Sequence, residues 1–198
     1  MPNKLPPSFY TNPDVVHIAQ NLLGCTLCTS INGTLTTGII VETEAYNGRT
    51  DKACHAYPNK RTPRTEIMYK EGGAAYVYFV YGMHYLFNVV TNTKEFADAV
   101  LIRAIQPVEG LPEMLLRRNR TKNGKLLSGG PARLAQALGI DKQINGETLQ
   151  GNQVWIEAKA PDFEFDTHAS KRIGVDYAGE DANLLWRFSI NDNAFVSK

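Results

Sequence analysis

Residues 34–46 read TLTTGIIVETEAY, and the organisation of the chain follows from them. The preceding segment, Cys25 to Ile31, alternates in polarity, which is typical of a strand with one buried face. Asn32-Gly33 lies between the two segments and is a strong signal for a two-residue turn. The sequence therefore predicts an antiparallel hairpin whose second strand ends at Tyr46, where the sheet passes into a loop.

The end of this strand carries acidic and aromatic side chains. Because side chains alternate along a strand, Glu42, Glu44 and Tyr46 share a face. Carboxylates among aromatic rings indicate acid/base chemistry on a flat substrate, with Glu44 as the general base. A solvent-exposed glutamate at a strand end is the simpler alternative. Arg103, within the apolar segment 100–105, needs a buried partner. We expect it to pair with Glu42 or Glu44, either in a site or as a structural ion pair.

A second hairpin is predicted from residues 75–81 and 85–91, turning through Gly82-Met83-His84. Alternation puts Tyr76 and Tyr78 on one face and leaves Tyr81 on the other face or at the tip. An ordinary aromatic core strand is one interpretation. An aromatic wedge at a hairpin tip is the other, and it suits insertion between base pairs. Tyr46, His55 and Tyr78 are candidates to sandwich a flat heterocycle.

The remaining segments predict one α+β domain, residues 1–198, around an antiparallel or mixed sheet. Asn12-Pro13 is expected to start a helix that ends before Gly24. Residues 47–73 form a long irregular segment directly after the carboxylates, a position that favours function. The other predicted elements are strands at 99–105, 155–157 and 186–190, short helices at 110–120 and 132–138, and a loop at 170–186.

Composition restricts the class of protein. The 198 residues are 43% hydrophobic, with a formal net charge of +1, which by itself argues neither for nor against nucleic acid. The sequence contains no apolar stretch long enough to span a bilayer and no signal-peptide pattern at its start, so we expect a cytoplasmic protein without membrane contact. Cys25 and Cys28 form a lone CxxC, interpreted as buried small side chains. The spacing of the histidines predicts no metal site.

Basic residues cluster locally. One group is Arg117, Arg118, Arg120, Lys122 and Lys125, and a smaller one is Lys60, Arg61 and Arg64. Such clusters fit either a solvated loop or nucleic acid contact. Ser128-Gly129-Gly130-Pro131 opens a helix and offers backbone donors to a phosphate, or is simply a helix start after a flexible turn. The residues predicted to contact the DNA backbone are Arg61, Arg64, Arg117, Arg118, Gly130 and Arg133.

Taken together, these segments resemble the alkyladenine (3-methyladenine) DNA glycosylase family, of the methylpurine type, from about Asn12 to Ile190. The blocks that carry the resemblance are ordered along the chain: Leu22-Leu23-Gly24, 41–46 (VETEAY), His55, Arg61-Thr62-Pro63-Arg64, 76–83 (YVYFVYGM), Asn88, Leu101-Ile102-Arg103-Ala104, 130–134 (GPARL) and Arg172-Ile173-Gly174-Val175. The resemblance implies a single domain around a curved, mainly antiparallel sheet with a protruding hairpin that inserts into DNA.

The resemblance also implies a role for each residue. By this resemblance Glu44 activates the attacking water, and Arg103 and the backbone carbonyl of Ile173 help to hold that water. Tyr46, His55 and Tyr78 grip the flipped base, and Asn88 crowds the pocket against the exocyclic amine of guanine. Tyr81, with Met83, fills the gap left in the duplex.

The implied function is that of a monofunctional DNA glycosylase of the 3-methyladenine DNA glycosylase II type, acting in base excision repair. Its partner would be double-stranded DNA with alkylated or deaminated purines, and a monomer needing no cofactor is expected. Asn47 and Cys54 depart from the family pattern and are expected to affect pocket shape. Two alternatives remain: a non-catalytic sensor of damaged bases, and a sugar hydrolase that uses Glu42 and Glu44 as paired carboxylates about 7 Å apart by strand rise.

Overall fold

Residues 3–197 are described by the structure, a computed structural model, and contain both helices and strands. The α-helices are α1 (Pro7–Tyr10), α2 (Val15–Asn21), α3 (Leu111–Arg117), α4 (Lys125–Ser128) and α5 (Pro131–Ala137). The strands are β1 (Thr26–Ile31), β2 (Thr34–Tyr46), β3 (Ala75–Val80), β4 (His84–Thr91), β5 (Asp98–Glu109), β6 (Val154–Glu157), β7 (Thr167–Ser170) and β8 (Arg187–Ile190). Short 3₁₀ helices occupy Glu66–Tyr69, Lys142–Ile144 and Asp176–Asn183.

The strands form one curved antiparallel sheet. Within the described residues its order is β3-β4-β5-β2-β1-β6, and β8 pairs with both β2 and β7. Every one of these pairings is antiparallel, as expected from hairpin connections between neighbouring strands. This arrangement confirms the predicted α+β class with a curved, mainly antiparallel sheet.

Strand β2 is the centre of the sheet and sets its curvature. One edge pairs with β5, while the other pairs first with β1 and then, at Glu42–Glu44, with β8. The register with β5 shifts between Thr37 and Gly38 and again on both sides of Glu42. Such irregularities bend a strand and raise its twist. The sheet therefore bends at the point where the two glutamates leave it.

Both predicted hairpins are confirmed, and their turns differ in kind. Asn32 (φ 51°) and Gly33 (φ 78°) adopt the left-handed conformation of a two-residue hairpin turn. In the second hairpin Val80 pairs with His84, so residues 81–83 form the tip. There Gly82 (φ 66°) follows Tyr81, which also has a positive φ of 53°. A tyrosine in this region is unfavourable, which marks the tip as a special position.

The helices pack against the sheet and help to bury its apolar side chains. Helix α2 packs on β2, and α5 packs on β4 and β5. Buried Thr43 donates its hydroxyl to the Ala19 carbonyl oxygen (2.8 Å), which ties β2 to α2. A smaller apolar cluster lies beneath the 47–73 segment and includes Met68, Tyr69 and Tyr76. This irregular segment is therefore packed against the sheet.

The start of α2 corrects one prediction. Asn12 was expected to cap the helix, but Asp14 does so: its Oδ1 accepts from the amides of Val16 (2.9 Å) and His17 (3.0 Å). Asn12 instead accepts from the Asp14 amide (2.9 Å), which forms a turn before the helix. Both residue types are good caps, and the choice between them depends on where the helical amides begin.

Strand β7 was not predicted, and the expected loop at 170–186 contains a 3₁₀ helix. Three of the four side chains of β7 are exposed, so its sequence carries no apolar alternation. The cysteine interpretation holds, since Cys25, Cys28 and Cys54 are all buried free thiols. No helix in residues 3–197 has the length and apolar character needed to cross a membrane.

Candidate active site

Two buried glutamates and one buried arginine meet where β2 bends. Arg103 of β5 donates from Nε to Glu42 Oε1 (2.9 Å) and pairs through Nη1 with Glu44 Oε2 (3.1 Å). Both glutamate side chains have no exposed area, which rules out the simple alternative of a solvent-exposed Glu44. Arg103 therefore pairs with both candidates. Burial on this scale requires such partners, because an uncompensated ion in the interior costs several kcal/mol.

The two carboxylates have different surroundings. Glu42 Oε1 also accepts from Arg187 Nε (2.6 Å) and Ser197 Oγ (2.8 Å), and Oε2 accepts from the Ser197 amide (2.7 Å). Burial alone raises the pKa of Glu42, but Arg103, the Ser197 amide and Arg187 outweigh it and hold the pKa below its usual value. Glu42 thus stays ionised, with both oxygens hydrogen-bonded, which suits a structural role.

Glu44 is bound by residues that face a cavity. Tyr46 donates its hydroxyl to Glu44 Oε2 (2.7 Å), and the Ile173 amide donates to Oε1 (2.8 Å). Tyr46, Arg103 and Ile173 all line a cavity of about 810 Å³. Burial, and then the Glu44 charge, raise the pKa of Tyr46 well above its usual value, so its hydroxyl remains a donor. The role predicted for the Ile173 carbonyl stays a prediction.

One wall of this cavity is aromatic. The rings of His55 and Tyr78 lie 4.6 Å apart between centroids, edge to face, and those of Tyr76 and Tyr78 lie 5.3 Å apart. Tyr46, His55, Tyr76 and Tyr78 all line the cavity. The structure therefore brings together all three residues predicted to grip a base. Tyr76 was not predicted as a site residue, although its alternation with Tyr78 was the signal for it.

Hydrogen bonds determine the tautomer of His55. Arg64 donates from Nη2 to Nε2 (3.1 Å), and an arginine can only donate, so Nε2 is the acceptor. Nδ1 therefore carries the proton and faces the Tyr76 hydroxyl at 3.1 Å. Burial, reinforced by the Arg64 charge, lowers the pKa of His55 to about 4. At neutral pH this imidazole is uncharged.

The lowered pKa of His55 makes the stability of the fold depend on pH. The unfolded chain binds the His55 proton more tightly, because its pKa there is about 6.5. The stability contributed by the neutral imidazole of His55 is therefore complete above about pH 6.5 and is lost as the pH falls towards 4. We expect the free energy of unfolding of His55→Asn to fall less steeply over this range. Urea titrations from pH 4.5 to 7.5 measure both slopes, and equal slopes would contradict the assignment.

Asn88 and Tyr81 of the hairpin tip both line the cavity. Asn88 is buried on β4, and its Nδ2 donates to the Tyr76 carbonyl oxygen (3.1 Å), which fixes its side chain. At the tip, Tyr81 is 89% exposed and Met83 is 67% exposed. Two large apolar side chains held so far into solvent gain nothing from burial, so their placement fits contact with another molecule.

The predicted backbone-contact residues fall into two groups. Arg64, Gly130 and Arg133 line the cavity, where Arg64 also lies over the Tyr78 ring (5.0 Å). The others have partners within the protein: Arg61 binds Glu66 and Glu95, Arg117 binds Glu113, and Arg118 binds the Leu126 and Leu127 carbonyl oxygens. Contact of all six with DNA stays a prediction.

Other features of the site were missed or are now assigned. Arg187, Ser197 and Asp51 were not singled out, because each is a polar residue in a loop or strand without a local signal, and Arg172 was named only as part of the 172–175 block, without a role. Cys54 lines the cavity; burial raises its pKa to about 12 and leaves a neutral thiol. Residues 3–197 contain no group of three or more His, Cys, Asp or Glu side chains arranged to hold a metal ion.

Comparison with known proteins identifies the class. The model of the methylpurine-DNA glycosylase family matches residues 8–194, so the chain belongs to this family of DNA-repair glycosylases. A protein of Natranaerobius thermophilus is 46% identical over 186 residues, covering 93% of this chain and 94% of that protein. A protein of Chlamydia abortus is 47% identical over 188 residues, covering 94% of this chain and 98% of that protein. Both carry the name "putative 3-methyladenine DNA glycosylase".

Proposed function

We propose that this protein is a monofunctional DNA glycosylase that flips alkylated or deaminated purines from duplex DNA and hydrolyses their N-glycosidic bond. The proposed substrates are 3-methyladenine, 7-methylguanine and hypoxanthine, and the product is an abasic site in base excision repair. One observation carries the proposal: a buried carboxylate, Glu44, is held by three residues that line an aromatic cavity. Family membership supports DNA glycosylase activity, and we propose that it is of the 3-methyladenine DNA glycosylase II type.

The hydrogen bonds of Glu44 indicate which oxygen acts as the base. Oε2 accepts from the Tyr46 hydroxyl and forms the ion-pair contact with Arg103 Nη1 (3.1 Å), so two groups of the protein already crowd this oxygen. Oε1 accepts from the Ile173 amide and from no other group among the described residues. Its second lone pair is therefore available to a water molecule, which Arg103 and the Ile173 carbonyl help to hold in this proposal.

The reaction then proceeds by displacement at the sugar. The oxygen of the bound water attacks C1′ while the bond from C1′ to the base nitrogen breaks. The proton of the water passes to Glu44, and the base leaves with the electron pair of the broken bond. The 41–46 segment contains no lysine to form a Schiff base with the sugar, so the reaction ends at the abasic site.

The aromatic wall accounts for substrate choice. Extruding a nucleotide costs a few kcal/mol, and the cost is smallest for damaged or mispaired bases. N-alkylated purines are cationic, so Tyr46 and Tyr78 attract them by roughly 0.5–2 kcal/mol for each contact. Asn88, held by its bond to the Tyr76 carbonyl oxygen, crowds the pocket against the exocyclic amine of guanine.

DNA binding in this proposal uses the cavity rim. Tyr81 and Met83 enter the gap left by the flipped nucleotide, and the six residues Arg61, Arg64, Arg117, Arg118, Gly130 and Arg133 contact the DNA backbone. Residues 1–198 act as one glycosylase domain, as a monomer in the cytoplasm on nucleoid DNA.

Single-turnover base release tests the proposed function. Duplexes that carry one hypoxanthine, and separately methylated DNA, are incubated with excess enzyme, and the free base is quantified. Release with an intact sugar–phosphate backbone until alkali is added is the expected result. Tight binding of both substrates without release would instead establish a damaged-base sensor.

We expect Tyr81→Ala to weaken binding to lesion-containing duplex without changing stability. Stacking of an aromatic ring on a base is worth about 1–3 kcal/mol, or about 5- to 150-fold in affinity. The side chain is 89% exposed, so its loss removes no core packing. Fluorescence anisotropy with a hypoxanthine duplex measures the affinity. Phe79→Ala is the matched control, since Phe79 is exposed on the same hairpin but packs on Tyr85 (4.9 Å between ring centroids). Equal losses in the two variants would contradict the intercalating role.

A further inference from the structure

Asp51 and Arg172 form a buried ion pair beside the cavity that the mechanism above does not use. Arg172 Nη1 binds Asp51 Oδ2 (2.5 Å), and Nη2 binds Asp51 Oδ1 (2.8 Å). Neither side chain has exposed area. The two residues lie in different segments, one in the 47–73 loop and one after β7. This bidentate pair therefore joins two irregular segments that lie outside the strands of the sheet.

The arginine end of the pair supports the Glu44 wall. Arg172 Nη1 also donates to the Ala45 carbonyl oxygen (2.9 Å), and its guanidinium lies over the rings of Tyr46 (4.8 Å) and Trp186 (5.3 Å). The next residue, Ile173, places its amide on Glu44. Movement of Arg172 would thus displace both the Tyr46 ring and a hydrogen-bond donor of the catalytic carboxylate.

The aspartate end supports the segment that carries His55. Asp51 Oδ1 accepts from the Ala53 amide (2.9 Å), and its carbonyl oxygen accepts from the Cys54 amide (2.9 Å). Ala53, Cys54 and His55 all line the cavity. The position of the His55 ring relative to Tyr46 therefore depends on where Asp51 is held.

We propose that Asp51 and Arg172 are positioning residues that fix the base-binding and water-activating parts of the site relative to each other. The proposal rests on the proposed glycosylase function, and neither residue is given contact with substrate. Stability does not explain the pair, because a well-packed apolar pair in place of a buried ion pair is often equally or more stable. Geometry does explain it, since a displacement of about 1 Å at a reacting centre can slow a reaction about 10²-fold.

The double variant Asp51→Leu/Arg172→Met separates positioning from stability. Each single change leaves one buried charge unpaired and destabilises the fold, whereas the double change removes both charges. We expect the double variant to unfold close to the wild-type denaturant concentration and yet to release hypoxanthine about 10- to 100-fold more slowly in single turnover. A stable double variant that releases base at the wild-type rate would overturn the proposal.

Arg49→Met provides the matched control. Arg49 also pairs with a fully buried aspartate, Asp98 (2.9 Å), but neither residue lines the cavity. We expect this variant to lose stability and to keep the wild-type release rate. If it slows release as much as the double variant does, the effect is a general consequence of losing an ion pair, and the positioning role is refuted.

A replacement variant and a hydrogen-exchange measurement test the positioning role independently of the double variant. If the double variant does not fold, Asp51→Asn replaces it, since asparagine keeps the size and the acceptor for Ala53; a native rate in this variant overturns the proposal. Hydrogen exchange at the Ile173 amide does not depend on activity. We expect at least tenfold faster exchange of this amide in the double variant and in Asp51→Asn than in the wild type, and unchanged exchange refutes the positioning role. If the wild type releases no base, the proposed function fails, while the exchange measurement still decides the positioning role.

Discussion

Replacement of Glu44 by glutamine is expected to slow base release about 10²- to 10⁴-fold, the range over which a positioned general base accelerates a reaction. The amide has nearly the shape of the carboxylate but cannot take a proton from water. It also presents an N–H₂ group to donors, because Ile173 and Tyr46 donate to this side chain and Arg103 forms an ion pair with it. The measurement is single-turnover release from a hypoxanthine duplex, with affinity for the same duplex determined in parallel.

Glu42→Gln is the control for this substitution. Glu42 shares the strand face and Arg103 with Glu44. Its oxygens, however, accept hydrogen bonds from Arg187 and Ser197, and the proposed mechanism does not use it as a base. We expect a loss of stability and a change in release rate of less than about tenfold, below the range for a general base. Equal losses in both variants would favour the paired-carboxylate mechanism of a sugar hydrolase. An unchanged rate in Glu44→Gln would show that Glu44 is not the base.

Replacement of Arg103 by methionine is expected to give the largest loss of stability, roughly 3–5 kcal/mol, because removing one partner of a buried ion pair leaves an uncompensated charge. Here the change leaves two buried carboxylates without their shared cation. Urea unfolding of the variant and the wild type at pH 7 measures the difference. Base release should also fall, since Arg103 is proposed to hold the attacking water.

The loss caused by Arg103→Met should depend on pH. Arg103 is the strongest of the groups that hold the pKa of Glu42 below its usual value against burial. The stabilisation from an ionised Glu42 is complete above its unfolded pKa, about 4.3, and is lost as the pH falls through the lower folded value. The difference between variant and wild type should therefore be larger at pH 7 than at pH 4. A difference that grows towards low pH would contradict this account.

Arg61→Met is the matched control for Arg103→Met. Arg61 also pairs with two glutamates, Glu66 (2.7 Å) and Glu95 (2.7 Å), but its side chain is 45% exposed. Exposed ion pairs contribute about 0–1 kcal/mol, because water screens the charges. A small loss in this variant beside a large one in Arg103→Met would assign the effect to burial rather than to the number of partners.

The sequence by itself determined the hairpins and the faces of their strands. Asn32-Gly33 encodes its turn within two residues, and the spacing of Tyr76 and Tyr78 by two places them on one face whatever the rest of the chain does. The signal for the strand that contains Arg103 was also local, because a short apolar run predicts a buried strand. Family resemblance, carried by blocks such as 41–46 and 76–83, then named the site residues.

Tertiary structure alone decided which side chains become partners. The sequence offered Glu42 or Glu44 as the partner of Arg103, and the fold pairs Arg103 with both. Arg172 meets Asp51 across 121 residues of sequence and Ser197 meets Glu42 across 155, and neither pair was predicted. No periodicity or turn signal reaches that far, because such pairings depend on which strands become neighbours and where β2 bends. The prediction that Asn12 caps α2 was wrong for the same reason, on a smaller scale. Local chemistry supplies the candidates for each contact, and packing of the whole chain selects among them.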